Sequence, residues 1–259
     1  MNILKEFFGF GGYQRPAEGY MSPEHLIFVS ALTAFMILFA VIFAIKNKNS
    51  DEKTKNRVLI VSAILIDSIE IFKITVFSIR GGDPLSFLYN LPLFLCSIQL
   101  ITIPLAAFSK GRIKEASLDF IAIFGILGAV LGTYFAGNNY GTYPVISIDN
   151  VASGLTHCIA GFVSIYILMT RMARLDKRNI PCTLAILFGF CIAAYIANIF
   201  LDCNYMFLSR GDGTPYDIAF NLVDGNPILY PLFVVFLFIV YIFAFYFIYH
   251  TVKVKSKKQ

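Results

Sequence analysis

Charge is what this chain has least of. Only 14% of its 259 residues are Asp, Glu, Lys or Arg, against 58% apolar residues and 27 phenylalanines. A water-soluble core cannot absorb that many apolar side chains, so a soluble globular domain is excluded and the solvent is lipid. The net charge of +5 would point to an acidic partner in a soluble protein. In lipid the placement of the basic residues matters more than their sum, and nucleic acid is set aside as a partner.

Other absences narrow the class further. The first 24 residues hold no sustained apolar core followed by a small-residue cleavage site, so no cleavable signal peptide is expected and the first span serves as its own insertion signal. Of five cysteines, Cys96, Cys158 and Cys191 fall in apolar segments, Cys182 near a basic loop and Cys203 near the opposite face. Disulfides are therefore not expected. No close pair among His157, Asp202 and Cys203 has the spacing of a zinc motif, so neither a metal nor a cofactor is implied. No internal repeat is visible, and the sequence carries no signal of oligomeric state.

What is present is a series of apolar stretches near 25 to 45, 57 to 78, 87 to 108, 117 to 136, 151 to 170, 182 to 202 and 228 to 250. Each approaches the roughly 20 residues needed to cross a bilayer core as a helix. The expectation is an all-α, multi-pass protein of the cell membrane, a bundle of seven transmembrane helices. An extracytoplasmic segment (1 to 24) precedes one helical domain (25 to 250), and a basic cytoplasmic tail (251 to 259) follows it. Lys and Arg fall on alternate loops: five in 46 to 57, three in 109 to 116, four in 171 to 181 and four in 251 to 259, sixteen in all. Lys5, Arg15, Arg80 and Arg210 lie on the other side. The positive-inside rule then places the N-terminus outside and the C-terminus in the cytoplasm.

Ionisable groups at membrane depth cost several kcal/mol unless paired or wetted, so each asks for a reason. Asp67, Glu70 and Lys73 recur on one face of the second span, where Lys73 can neutralise a carboxylate. A self-neutralising structural cluster and a functional site are both consistent with that spacing. Pro92, Cys96 and Gln99 share a face of the third span. Gly125, Gly128 and Gly132 stripe the fourth and read as ordinary close helix packing. Ser153, His157, Gly161 and Ser164 line the fifth, and Cys191, Tyr195, Asn198, Asp202 and Tyr205 form a polar stripe along the sixth. By depth these groups converge on one cavity that opens to the outer half of the bilayer, which fits a substrate site better than structural glue.

Certain local strings carry a family likeness. LPLFLCSIQL (91 to 100), the Thr156-His157-Cys158 step, CNYMFLSRGDGTP (203 to 215), Gly225-Asn226-Pro227, Tyr230-Pro231 and Ser22-Pro23-Glu24-His25 resemble the bacterial YwaF-like membrane proteins. Those are similar to the eukaryotic transmembrane protein 164 group of lipid acyltransferases. The resemblance implies an intramembrane cysteine nucleophile, which falls on Cys96, and a histidine, which falls on His157, moving acyl chains between membrane phospholipids. A thiol in apolar surroundings needs a base, and His157 would supply it. Asp202 would orient His157, while Gln99, Asn204 or Tyr205 would donate to the oxyanion. Lys73, Glu70 and the exposed Arg80 or Arg210 would meet the lipid head group. The rival is a solute or proton-coupled transporter using Asp67, Glu70, Lys73, His157 and Asp202. The missing repeat counts against it.

Overall fold

The computed structural model describes residues 3–256, with side chains as far as Val252. The tail expected at 251 to 259 is described as backbone as far as Ser256, where the last helix ends, and the side chains of its four lysines lie outside the described residues. All regular elements among them are helical: α1 (Ile3–Phe8), α2 (Pro23–Asn47), α3 (Glu52–Gly81), α4 (Gln99–Phe108), α5 (Gly111–Tyr134), α6 (Gly137–Thr142), α7 (Ile148–Met169), α8 (Ile180–Leu201), α9 (Tyr216–Leu222) and α10 (Leu229–Ser256).

Local chemistry sets the ends. Ser22 caps α2 by accepting from the His25 N–H, with Pro23 opening the first turn. Asp51 caps α3 through the Thr54 N–H, and Gly82 at φ 64° closes it. Ser147 caps α7 through the Asn150 N–H. Pro23–Asn47, Gly111–Thr142, Ile148–Met169, Lys177–Leu201 and Leu229–Val252 are each long and apolar enough to cross a membrane. The chain is a membrane protein. α3, at 30 residues, is also long enough but carries Asp67, Glu70, Lys73 and Arg80.

α7 is the hub, packed against α2, α3 and α5, and α4 lies between α3 and α5. Small residues let the backbones close up. A Cβ on Gly125 would meet Ser164 and the Ala160 carbonyl, and one on Gly161 would meet Met36 and Ala129.

The third apolar stretch is not one helix, contrary to the expectation for 87 to 108. A 3-10 turn at Ser86–Asn90 leads into an irregular segment, and α4 begins only at Gln99. Pro92 brings no N–H and holds Leu91 extended (φ −63°, ψ 148°). Non-helical backbone at membrane depth survives only where protein or water satisfies it. Here the Tyr205 hydroxyl accepts from Leu91 N–H at 3.1 Å and donates to Leu88 O at 2.9 Å. The Ser97 hydroxyl bridges Phe94 N–H and O.

The sixth span also ends sooner than its polar stripe suggested. Asp202 terminates α8 in the left-handed region (φ 49°), so it leaves the helical face that holds Cys191 and Asn198. The following loop turns back: Asn198 Oδ1 accepts from Tyr205 N–H at 2.6 Å and Asn198 Nδ2 donates to Tyr205 O at 3.0 Å.

The N-terminal segment straps one end of the bundle. Arg80 of α3 holds Asp149 of α7 with two 2.8 Å bonds, and Tyr13 donates to the same carboxylate. Glu18 accepts from Val145 N–H at 2.7 Å. The opposite end carries the basic loops. There Asp119 accepts from Leu175 N–H, Asn179 Nδ2 and the Tyr246 hydroxyl, tying the 171 to 179 loop to α5 and α10.

Candidate functional site

Cys96 sits in the turn just before α4, half-buried, with its sulfur faced by its own backbone N–H and that of Ser97. His157 reaches the same point from α7. Its Nδ1 lies 2.6 Å from the Ser153 carbonyl, which can only accept, so Nδ1 carries the ring proton. Nε2 is then the basic nitrogen. It is buried, has no hydrogen-bond partner, and lies near enough to the Cys96 thiol for the two groups to act on each other electrostatically.

α5 makes the room for this pair. A Cβ on Gly128 would lie 3.1 Å from the Cβ of Cys96, and one on Gly132, one turn along, would overlap the His157 ring. The glycine stripe read as ordinary packing is therefore divided. Gly125 serves the α5 to α7 contact, while Gly128 and Gly132 seat Cys96 and His157.

Lys73 of α3 is near enough to act electrostatically on His157. It pairs with Glu70 at 2.7 Å, both side chains being mostly buried, and lies 5.9 Å from the Phe77 ring. Asp67 stays out of that ion pair. Gln99 is fully buried three residues after Cys96; its Oε1 accepts from Thr102 at 3.0 Å and its Nε2 has no partner.

The remaining expected site residues are not brought to the pair. Asp202 does not orient His157: its carboxylate is fully exposed, 3.9 Å from Arg210, and the Ser153 carbonyl does the orienting. Asn204 has no donor left for an oxyanion. Its Nδ2 donates to Arg210 O and Asp212, and its Oδ1 accepts from Ser209 and Arg210 N–H. Tyr205 spends its hydroxyl on Leu88 and Leu91 and so holds the segment leading to Cys96. Arg80 is paired with Asp149 and Arg210 with Asp212. Where a single outward-opening cavity was expected, the N-terminal strap crosses between α3 and α7 through Tyr13, Arg80 and Asp149. A groove instead runs between α3 and α4, lined by Asp67, Leu100, Ile101, Pro104, Leu105 and Phe108.

Sequence reasoning missed the Ser153 carbonyl and the seating role of the glycines. The 153/157 spacing of four and the 128/132 spacing of four were the signals available, but backbone acceptors and close approaches are not written in side-chain patterns.

A family model, that of the TMEM164 family, matches residues 20–249, and the chain belongs to that family. No curated protein and no solved structure matches it.

Proposed function

We propose, with membership of the TMEM164 family as premise, that this chain is an intramembrane lipid acyltransferase in which Cys96 is the nucleophile and His157 its base. The observation that carries the reading is the His157 tautomer. Nδ1–H is spent on a carbonyl, so the basic nitrogen is the buried, unpartnered Nε2, on a ring that the Cys96 thiol is near enough to influence.

The steps follow from those atoms. Nε2 takes the Cys96 proton, and the thiolate attacks the ester carbonyl carbon of a membrane phospholipid. The developing oxyanion is met by the N–H groups of Cys96 and Ser97, with Gln99 Nε2 as a further donor in the same segment. Collapse breaks the ester C–O bond, His157 protonates the departing lysolipid alkoxide, and the acyl group stays on sulfur as a thioester. An incoming lipid hydroxyl then gives its proton to His157 and attacks the thioester, restoring the thiol. The Lys73 ammonium, beside His157 and balanced by Glu70, receives the phosphate end of the substrate.

The narrower kinship with YwaF-like bacterial proteins belongs to the same proposal and rests on the 91 to 100 and 203 to 215 strings. So does the topology: α3 and the α4 segment add two crossings to the five apolar ones, giving seven in one domain over 25 to 250 in the cell membrane. The sixteen basic residues on alternate loops set the N-terminus outside.

The test is covalent trapping. Incubated with phospholipid carrying a labelled acyl chain, the wild-type protein forms a hydroxylamine-sensitive thioester on Cys96. Cys96→Ser abolishes turnover, His157→Ala slows acylation of a folded protein, and Cys158→Ser, about 100° around the helix from His157, stays near wild type. If Cys96→Ser is silent while Glu70→Gln abolishes function, the enzyme reading fails and transport replaces it.

A further inference from the structure

The groove between α3 and α4 has a direction. Asn56 Nδ2 donates to the Ala107 carbonyl at 2.8 Å, which fixes the register of the two antiparallel helices near the basic loops. From Asn56 to Asp67 is eleven residues, and from Ala107 back to Cys96 is also eleven. The climb along α3 is roughly 16 Å at about 1.5 Å per residue, whereas α4 from Ala107 back to Gln99 rises only about 12 Å, so Asp67 stands above the first turn of α4, on the side of the turn that holds Cys96. The groove therefore starts on the side of the nucleophile and runs along α4 toward Phe108 and Ser109.

Its lining changes along that line. The one carboxylate, Asp67, is at the head; the side chains along α4 that follow, Leu100, Ile101, Pro104, Leu105 and Phe108, are apolar, and Ser109 closes the foot. The volume is about 500 Å³, within the range of small-ligand sites. A polar head and an apolar run of about 15 Å, the length of the ten-residue α4, match one hydrocarbon chain with its ester end uppermost. The other directions from Cys96 are walled by Gly128 of α5 and His157 of α7.

We infer that this groove holds the hydrocarbon chain of the acyl group that Cys96 receives, with the carbonyl at Cys96 and the chain descending along α4 to Phe108. The inference rests on the acyl-transfer reading above. It adds that a single chain is held, that the chain points toward the basic loops, and that its length is limited at the foot. The donor is consequently a lipid of the leaflet on the N-terminal-strap side, because its head group lies on that side of Cys96 while its chain points toward the basic loops.

The experiment uses the full chain in phospholipid vesicles containing a phospholipid with a photoactivatable group partway along one acyl chain. Label is expected on 100 to 108 of α4, above the level found on Phe39 and Phe43, exposed residues of α2. Ile101→Trp fills the upper groove and lowers thioester formation from long chains relative to short ones by about tenfold or more. Phe108→Ala, an exposed position whose loss spares the core, opens the foot and shifts preference to longer chains. Equal labelling of α2 and α4, with no change in chain preference in either variant, means annular lipid only and overturns the inference. A Cys96 thioester with label elsewhere overturns the groove and keeps the enzyme. Label on α4 displaced by Ile101→Trp, without any Cys96 thioester, keeps the groove as a chain site and overturns acyl transfer.

Discussion

A methyl group added at Gly132 would overlap the His157 ring, whereas one added at Gly189 of α8 meets nothing within 4 Å. Ala for Gly in a helix ordinarily stabilises by about 0.5–1 kcal/mol, so Gly189→Ala is expected to raise stability in detergent. Gly132→Ala is expected to lower it by about 1–3 kcal/mol through overpacking, and to reduce Cys96 acylation. Thermal unfolding together with thioester yield separates the two. Glu70 and Lys73 form a second local test. Removing Lys73 alone strands a carboxylate and is expected to cost about 3 kcal/mol, more than Glu70→Gln and Lys73→Met combined; a double-mutant cycle reads the difference, and additive losses count against pairing. These two residues were legible because their partner lies one turn away on the same helix. Asp119 was not, since its three partners come from residues 175, 179 and 246. Asp202 was misread for a different reason: a helical spacing was carried past Leu201, the last residue of α8, through the residue at which the backbone turns left-handed.

Tyr205 shows how an element far along the chain shapes the site. The loop after α8 holds Met206 and Phe207 at φ 56°, a costly conformation for such residues, and Asn198 and Asn204 pin it in place. Tyr205→Phe removes the bonds to Leu88 and Leu91, each worth about 1 kcal/mol. It is expected to lower acylation at Cys96 several-fold while helical content measured by circular dichroism holds. If acylation is unchanged, the loop does not position the nucleophile. The break before α4 escaped the hydropathy reading because LPLFLCSIQL is apolar in any conformation; only Pro92 hinted at it. The N-terminal strap offers a test by pH. Burial and the hydrogen bond to Asp149 push the Tyr13 phenol well above its usual range. A group with a raised folded pKa contributes stability that is present below its unfolded value, about 10, and is lost as pH rises past it. Protease cleavage of the strap is therefore expected to increase above about pH 10, and Tyr13→Phe to flatten that rise while leaving the strap looser at neutral pH.

The all-helical, membrane-crossing character was the most legible feature, because roughly 20 apolar residues per crossing is a property of composition. Accessibility mapping is expected to place loops 46 to 57, 109 to 116 and 171 to 181 in the cytoplasm; finding 203 to 227 there would invert the proposed topology. What composition cannot convey is how the irregular segment at 91 to 98 is kept in place. Its clamp, Tyr205, is more than a hundred residues downstream. During synthesis the first four apolar stretches can enter the membrane before that clamp has left the ribosome. Cys96 therefore emerges in a segment with nothing to hold its shape, and His157 follows before the thiol is fixed. A nascent chain halted before residue 205 is expected to insert, to be protected from proteases along its helices, and yet to present Cys96 to membrane-permeant alkylating reagents far faster than the finished protein does. On the acyl-transfer proposal, the Cys96 thiol becomes usable only when α8 and the loop after it have been made, so an interrupted chain carries helices without chemistry.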